Sequence, residues 1–172
     1  MVSHYSHLVS HLPEPRSHHG AQRFGDKVAI VGGTTTGHCS GSVDSVVLYD
    51  IKRNCCRTLA PLPFPICHMA TVAWRDDIII IGGEDKNGNA LNTVVSYNIT
   101  NETSKMLPSM KHKRKNCSAV VTGNVIVVMG GRNDESGPLN SVEIFSFDNY
   151  SWEELPPMNR KRNCATAVVK SL

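Results

Sequence analysis

Short apolar runs closed by paired glycines recur along the chain. "KVAIVGG" (27–33) returns as "DDIIIIGG" (76–83) and again as "NVIVVMGG" (124–131). Each run is about the length of one strand and too short for an ordinary helix. A polar loop follows each pair, and then a second run rich in β-branched and aromatic residues: "SVVLYD" (45–50), "TVVSYN" (93–98) and "SVEIFS" (141–146). Such residues favour strands. Ten positions beyond Tyr49, Tyr97 and Phe145 stand Leu59, Leu107 and Leu155. The prolines of "LAPL", "LPSM" and "LPPM" then end a strand. "HMATVAW", "CSAVV" and "CATAVV" supply one more short apolar run each. The pattern predicts four short strands per copy and no helical segment.

Glycines after a strand can cradle a phosphate. A P-loop needs a Lys-Ser/Thr closing the loop, and a dinucleotide fingerprint needs three spaced glycines opening a helix. "TTTGHCSGSVDS" after Gly32 and Gly33 offers neither. The pairs begin at residues 32, 82 and 130, so they recur every 48–50 residues. A period of that length signals a propeller or solenoid, and the glycines read as architecture.

The repeat resembles the kelch motif, the four-stranded blade of a β-propeller. The carriers are an apolar strand ending in Gly-Gly, an aromatic, a Trp seven residues later, then Pro-Met and a basic residue. The third copy has Gly130, Gly131, Phe145, Trp152, Pro157, Met158 and Arg162. The second has Gly82, Gly83 and Tyr97, and the first has Gly32, Gly33 and Tyr49. The Trp place holds Cys56 in the first copy and Ser104 in the second. Those two blades are expected to pack less tightly unless a neighbour fills the space. The expected fold is all-β: a partial kelch β-propeller spanning 1–172. It has three four-stranded antiparallel blades at about 16–62, 66–110 and 114–158. Residues 3–12 and 162–169 are expected to be single flanking strands. Three blades cannot close a ring, so the open edges could also self-associate.

Within that family, the sequence resembles the kelch domain of kelch-like (BTB-kelch) substrate adaptors of ubiquitin ligases. The resemblance implies a protein-interaction module whose loops recognise a short segment of a partner. Two sets of loops should emerge on one face: 34–44, 84–92 and 132–140, and the connections 12–19, 61–68, 110–116 and 158–163. Loops on a rigid scaffold are the usual place for binding. Seven of the chain's 18 Lys and Arg fall in two of these connections: Lys111, Lys113, Arg114, Lys115, Arg160, Lys161 and Arg162. Guanidinium groups pair bidentately with carboxylates, so an acidic peptide is the expected ligand. The candidate contacts are Arg16, His18, Lys113, Arg114, Asn116, Arg132, Arg162 and Asn163, with Arg114 and Arg162 central. Ile66 breaks the arginine series in the second connection.

Other chemistry adds little. The net charge of +3 is small, and no stacking aromatics interleave with the basic runs, so no nucleic-acid partner is expected. No long apolar run or signal peptide is visible, which implies no membrane partner and a cytoplasmic location. Six cysteines without a C-x-x-C pair signal no zinc or redox site. Cys117 and Cys164 follow basic clusters, yet as inner-strand residues they are expected to be inert. His4, His7, His11, His18 and His19 crowd the start without acidic or thiol companions at ligand spacing, so no metal or cofactor is expected. No catalytic motif stands out, and the chain is read as a non-enzyme. A cytoskeletal (actin-associated) kelch protein is the alternative reading, and a metal-dependent propeller enzyme is a more distant one.

Overall fold

The computed structural model describes residues 11–169. Three antiparallel sheets follow one another along the chain. Blade one is β1 (Gly20–Phe24), β2 (Lys27–Val31), β3 (Val46–Asp50) and β4 (Cys55–Leu59). Blade two is β5 (Ala70–Trp74), β6 (Asp77–Ile81), β7 (Val94–Asn98) and β8 (Thr103–Leu107). Blade three is β9 (Ser118–Thr122), β10 (Val125–Met129), β13 (Val142–Ser146) and β14 (Ser151–Leu155). A small hairpin, β11 (Arg132–Asn133) and β12 (Gly137–Pro138), decorates its second loop. Helical structure among the described residues is one 3-10 turn, Cys39–Gly41. The expected segment at 3–12 lies almost wholly outside the described residues. Residues 162–169 dock against blade three through Cys164 N–H to Asn116 O, but form no ladder.

β1 packs on β5, and β5 on β9, so the first strand of every blade lies innermost. The blades stack face to face, and two apolar cores fill the seams. Side chains alternate across a strand. Ile78 and Ile80 of β6 therefore enter the core shared with blade one, and Ile79 and Ile81 enter the core shared with blade three. A strand buried on both faces needs no polar alternation, which is why "IIII" is unbroken. "VAIV" and "VIVVM" are fully buried on one face only. Ala29, Val31, Ile126 and Val128 face blade two, whereas Val28, Ile30, Val125 and Val127 are half-buried. No neighbouring blade covers their outer faces among the described residues.

The varied Trp place has a physical answer. Trp152 pairs across the ladder with Phe145, and its Nε1–H donates to Pro108 O of blade two at 2.7 Å. Blade two holds Ser104 there, opposite Tyr97. The Tyr97 hydroxyl itself crosses the seam and donates to Ala60 O at 2.7 Å. Phe145 has no hydroxyl and needs the indole, while Tyr97 dispenses with it. Burial pushes the Tyr97 phenol up to about 12, so it stays a donor. Glu102 adds two further bonds across the same seam, from Ala60 N–H and Arg57. The second copy therefore does not pack loosely for want of Trp.

Tyr97→Phe is expected to cost about 1–3 kcal/mol, since it strands a carbonyl in the seam. Trp152 is only half-buried, so Trp152→Ala should cost less than the roughly 3–5 kcal/mol of a fully buried aromatic. Urea unfolding of both variants checks the pair of values.

Candidate functional site

The glycine pairs build the face that carries the candidate site. Gly32, Gly82 and Gly130 have φ near +60°, and the N–H of the glycine after each bonds to a carbonyl of the next connection. These acceptors are Ile66 O, Arg114 O and Arg162 O, at 2.8–2.9 Å. Each connection is thus tied to the preceding blade at one position of the repeat. The second-loop set and the connections emerge together on this face, as expected.

The same series explains the arginines. Arg114 donates from Nη1 to Gly130 O at 2.8 Å and from Nη2 to Glu143 at 2.6 Å and Ser141 Oγ at 3.0 Å. Its side chain is 0% exposed and that of Glu143 is 1% exposed. Arg16 makes the equivalent bonds to Gly32 O, Ser45 O and Ser45 Oγ, with Glu14 as its carboxylate. Its side chain is also fully buried. The expectation that Arg16 and Arg114 meet an acidic peptide is corrected: both are braces inside a blade, because a carboxylate and backbone carbonyls already surround each guanidinium. Ile66 fills the same place in blade two and lies in one core cluster with Val95, at the strand position of Glu143. Charge pair and apolar pair are alternative solutions to one geometry.

Glu143 does more than neutralise. Its carboxylate also accepts the amides of Lys111 (2.7 Å) and His112 (3.2 Å). The place of Lys111 is taken by Pro13 and Pro63 in the two preceding connections, and proline has no N–H to satisfy. A lone Glu in "SVEIFS", where the other copies have Val47 and Val95, was the sequence signal for this buried group.

The remaining charges divide into paired and unpaired. Lys111 bonds Glu154, which His112 also reaches at 2.7 Å. Lys111, and behind it His112, hold the Glu154 carboxyl below the usual carboxylate range. Lys115 is mostly buried between Glu84 (2.6 Å) and Asp134 (3.2 Å). Lys113, Arg132, Arg160, Lys161 and Arg162 are exposed and make no ion pair among the described residues. Asn163 is exposed beside them. A groove of about 560 Å³ lies between the 85–92, 111–113 and 133–135 segments, with Lys113 on its wall. Asp134 and Glu135 line it too, so the groove is not uniformly basic. A larger hollow of about 720 Å³ opens on the opposite face, among the β1–β2 and β3–β4 turns of blade one and the β5–β6 and β7–β8 turns of blade two.

His18 and Asn116 stand elsewhere, at the inner ends of the connections. His18, His68, Asn116 and Cys164 all have φ of 53–56°, a left-handed conformation uncommon outside glycine. Each passes a backbone bond to the next: His68 N–H to His18 O, Asn116 N–H to His68 O, Cys164 N–H to Asn116 O. This arc staples neighbouring blades at the axis. Nothing in the residue types announces it, since four different residues occupy one conformation. Cys117, next to the arc, is buried, and burial pushes its thiol up to about 11, which makes it a poor nucleophile at neutral pH.

The kelch motif matches residues 65–111 and 113–159, more than half of the chain. The chain belongs to the kelch-repeat family. The first blade lies outside the matched segments, yet folds in the same four-strand order. A solved structure titled "Structure of YjhT" superposes with a TM-score of 0.76 at 13% identity, which shows likeness of fold alone. The match covers 87% of this kelch chain and 54% of that one, so the chain spans about half the length of its structural relative. No curated protein matches the sequence. No helix among the described residues is long and apolar enough to cross a membrane.

Proposed function

We propose that this kelch chain binds an acidic peptide segment of a partner protein along the rim formed by Lys113, Arg132 and the Arg160–Arg162 run. The role is that of the substrate-recognition part of a kelch-like ubiquitin-ligase adaptor, the proteins its sequence resembles. The observation that carries the reading is that these five cations, with Lys86 of the 84–92 loop, are exposed on the loops of one face without internal ion-pair partners among the described residues. Their neighbours Arg16, Arg114 and Lys115 are consumed by internal carboxylates. What remains open is the set of charges the fold does not use. Arg162 keeps its expected role, and Lys113 and Arg132 replace Arg114 beside it.

Fluorescence anisotropy with an acidic peptide library tests this. Arg132→Ala with Arg162→Ala should remove two charge-assisted contacts of about 1.5–3 kcal/mol each. Added salt should weaken binding, because exposed charges are screened over about 8 Å at physiological ionic strength. Equal binding by wild type and double variant, without salt dependence, would reduce the rim to a solvated edge. For the adaptor role, a reporter carrying the bound peptide should be ubiquitinated in cells with the intact rim and spared with the double variant.

A further inference from the structure

One group of side chains near the axis serves neither the braces nor the rim. Cys67 and Glu84 face each other in an isolated antiparallel bridge, with Glu84 N–H to Cys67 O at 2.8 Å and Cys67 N–H to Glu84 O at 3.2 Å. Both are buried. His68 follows Cys67, and successive side chains on an extended strand would diverge. The left-handed turn at His68 (φ +56°) prevents that and brings its Nδ1 to 3.2 Å from Cys67 Sγ. The thiol, the imidazole and a Glu84 carboxylate oxygen all lie within 4.8 Å of one another. The His18 ring stands against the His68 ring, 4.0 Å between centroids.

We propose that Cys67, His68 and Glu84 bind one divalent transition-metal ion of the zinc type, with a fourth position open towards His18 and solvent. Sulfur, nitrogen and oxygen donors are the set such an ion takes, at about 2.0–2.3 Å each in tetrahedral geometry. Ligand atoms around one such centre stand roughly 3–4 Å apart; Cys67 Sγ and His68 Nδ1 already have that spacing, and the Glu84 oxygen lies within 4.8 Å of both. Two surrounding features favour the ion. Ser42 Oγ lies beside the Cys67 thiol, is buried, and has no other hydrogen-bond partner, so it can donate to a thiolate. Lys115 now neutralises Glu84, but its Nζ also touches Asp134 and Gly88 O (2.9 Å). When a dication takes Glu84, the ammonium keeps those two partners. The ledger then balances: the ion against the thiolate and Glu84, and Lys115 against Asp134. The site escaped sequence reading because its ligands come from two strand ends, and only the backbone turn at His68 makes neighbours converge.

The experiment is titration of the metal-free chain with Co²⁺, read by the thiolate-to-cobalt charge-transfer band, and with Zn²⁺, read by bound metal after dialysis. One ion per chain and a tetrahedral cobalt spectrum are expected. Cys67→Ser should abolish the charge-transfer band, whereas Cys39→Ser and Cys164→Ser should keep it. Glu84→Gln should weaken binding at least as much as loss of an outer-shell partner does, on the order of 10–100-fold. His68→Asn also removes a ligand but suits the left-handed turn; its circular dichroism without metal should match wild type, separating lost ligation from lost fold. Lys115→Met should tighten binding by removing the competing cation. No stoichiometric metal on wild type, or a band that survives Cys67→Ser, would overturn the proposal.

Discussion

Arg114→Ala should destabilise the chain by about 3–5 kcal/mol, the cost of leaving one partner of a buried ion pair uncompensated. Glu143 would remain in the blade with only the Lys111 and His112 amides to solvate it. The reverse substitution, Glu143→Ala, should cost a similar amount, because it strands Arg114 together with those two amides. The series across blades refines this prediction. Arg114→Ile with Glu143→Val transplants the Ile66–Val95 solution of blade two, and an apolar replacement of a buried pair is often neutral or stabilising. Here it should recover only part of the loss, since the Lys111 and His112 amides lose their acceptor. Adding Lys111→Pro, as at Pro63, should recover more. Chemical denaturation of the four variants measures the order: wild type at or near the top, then triple, double and single. A surface role for Arg114 predicts instead that all four unfold alike.

Gly82→Ala should be about as damaging, at roughly 2–6 kcal/mol, from two sources that add. A left-handed backbone (φ +60°) strains any residue with a Cβ, by about 1–3 kcal/mol. The new Cβ would also stand 2.3 Å from the Arg114 carbonyl oxygen, which is backbone and cannot rotate away. Relieving that overlap means opening the seam, at a further cost of about 1–3 kcal/mol. Gly123→Ala is the control, with φ +55° but no atom within 4 Å of the added Cβ. It should show the strain alone. Equal loss in the two variants would mean that the glycine pairs serve turn geometry only and not the docking of successive connections.

The blades were legible because their signals are local. A strand of alternating or continuous apolar residues, a glycine pair and a β-branched return strand repeat within 50 residues, and each can be read without knowing its neighbours. The burial of Arg114 was not legible in the same way. A basic residue in "KHKRKN" looks solvated until Glu143, 29 positions later, is known to lie opposite it. Arg162 shows the converse. It occupies the same place in the repeat, and its carbonyl accepts Gly131 N–H just as Arg114 O accepts Gly83 N–H. Yet its side chain is exposed, because no strand among the described residues offers it a carboxylate. Repeat position fixed where the backbone goes, while the partner on the next strand decided which guanidinium stays outside. The exchange of Trp152 for the Tyr97 hydroxyl is of the same kind. Each place read alone looks like a defect, yet the indole and the hydroxyl meet equivalent backbone carbonyls of the preceding blade, Pro108 O and Ala60 O.

On the proposed reading, the charges left over by these braces form the binding face. This is tested most directly by mapping an acidic peptide onto the labelled chain through amide chemical shifts. Shifts confined to the 111–113, 132–135 and 158–163 segments, fading with salt, are expected. The amides around Arg16 should stay in place. Shifts concentrated instead in the turns at 24–27, 50–53 and 75–76, around the larger hollow on the opposite face, would contradict it.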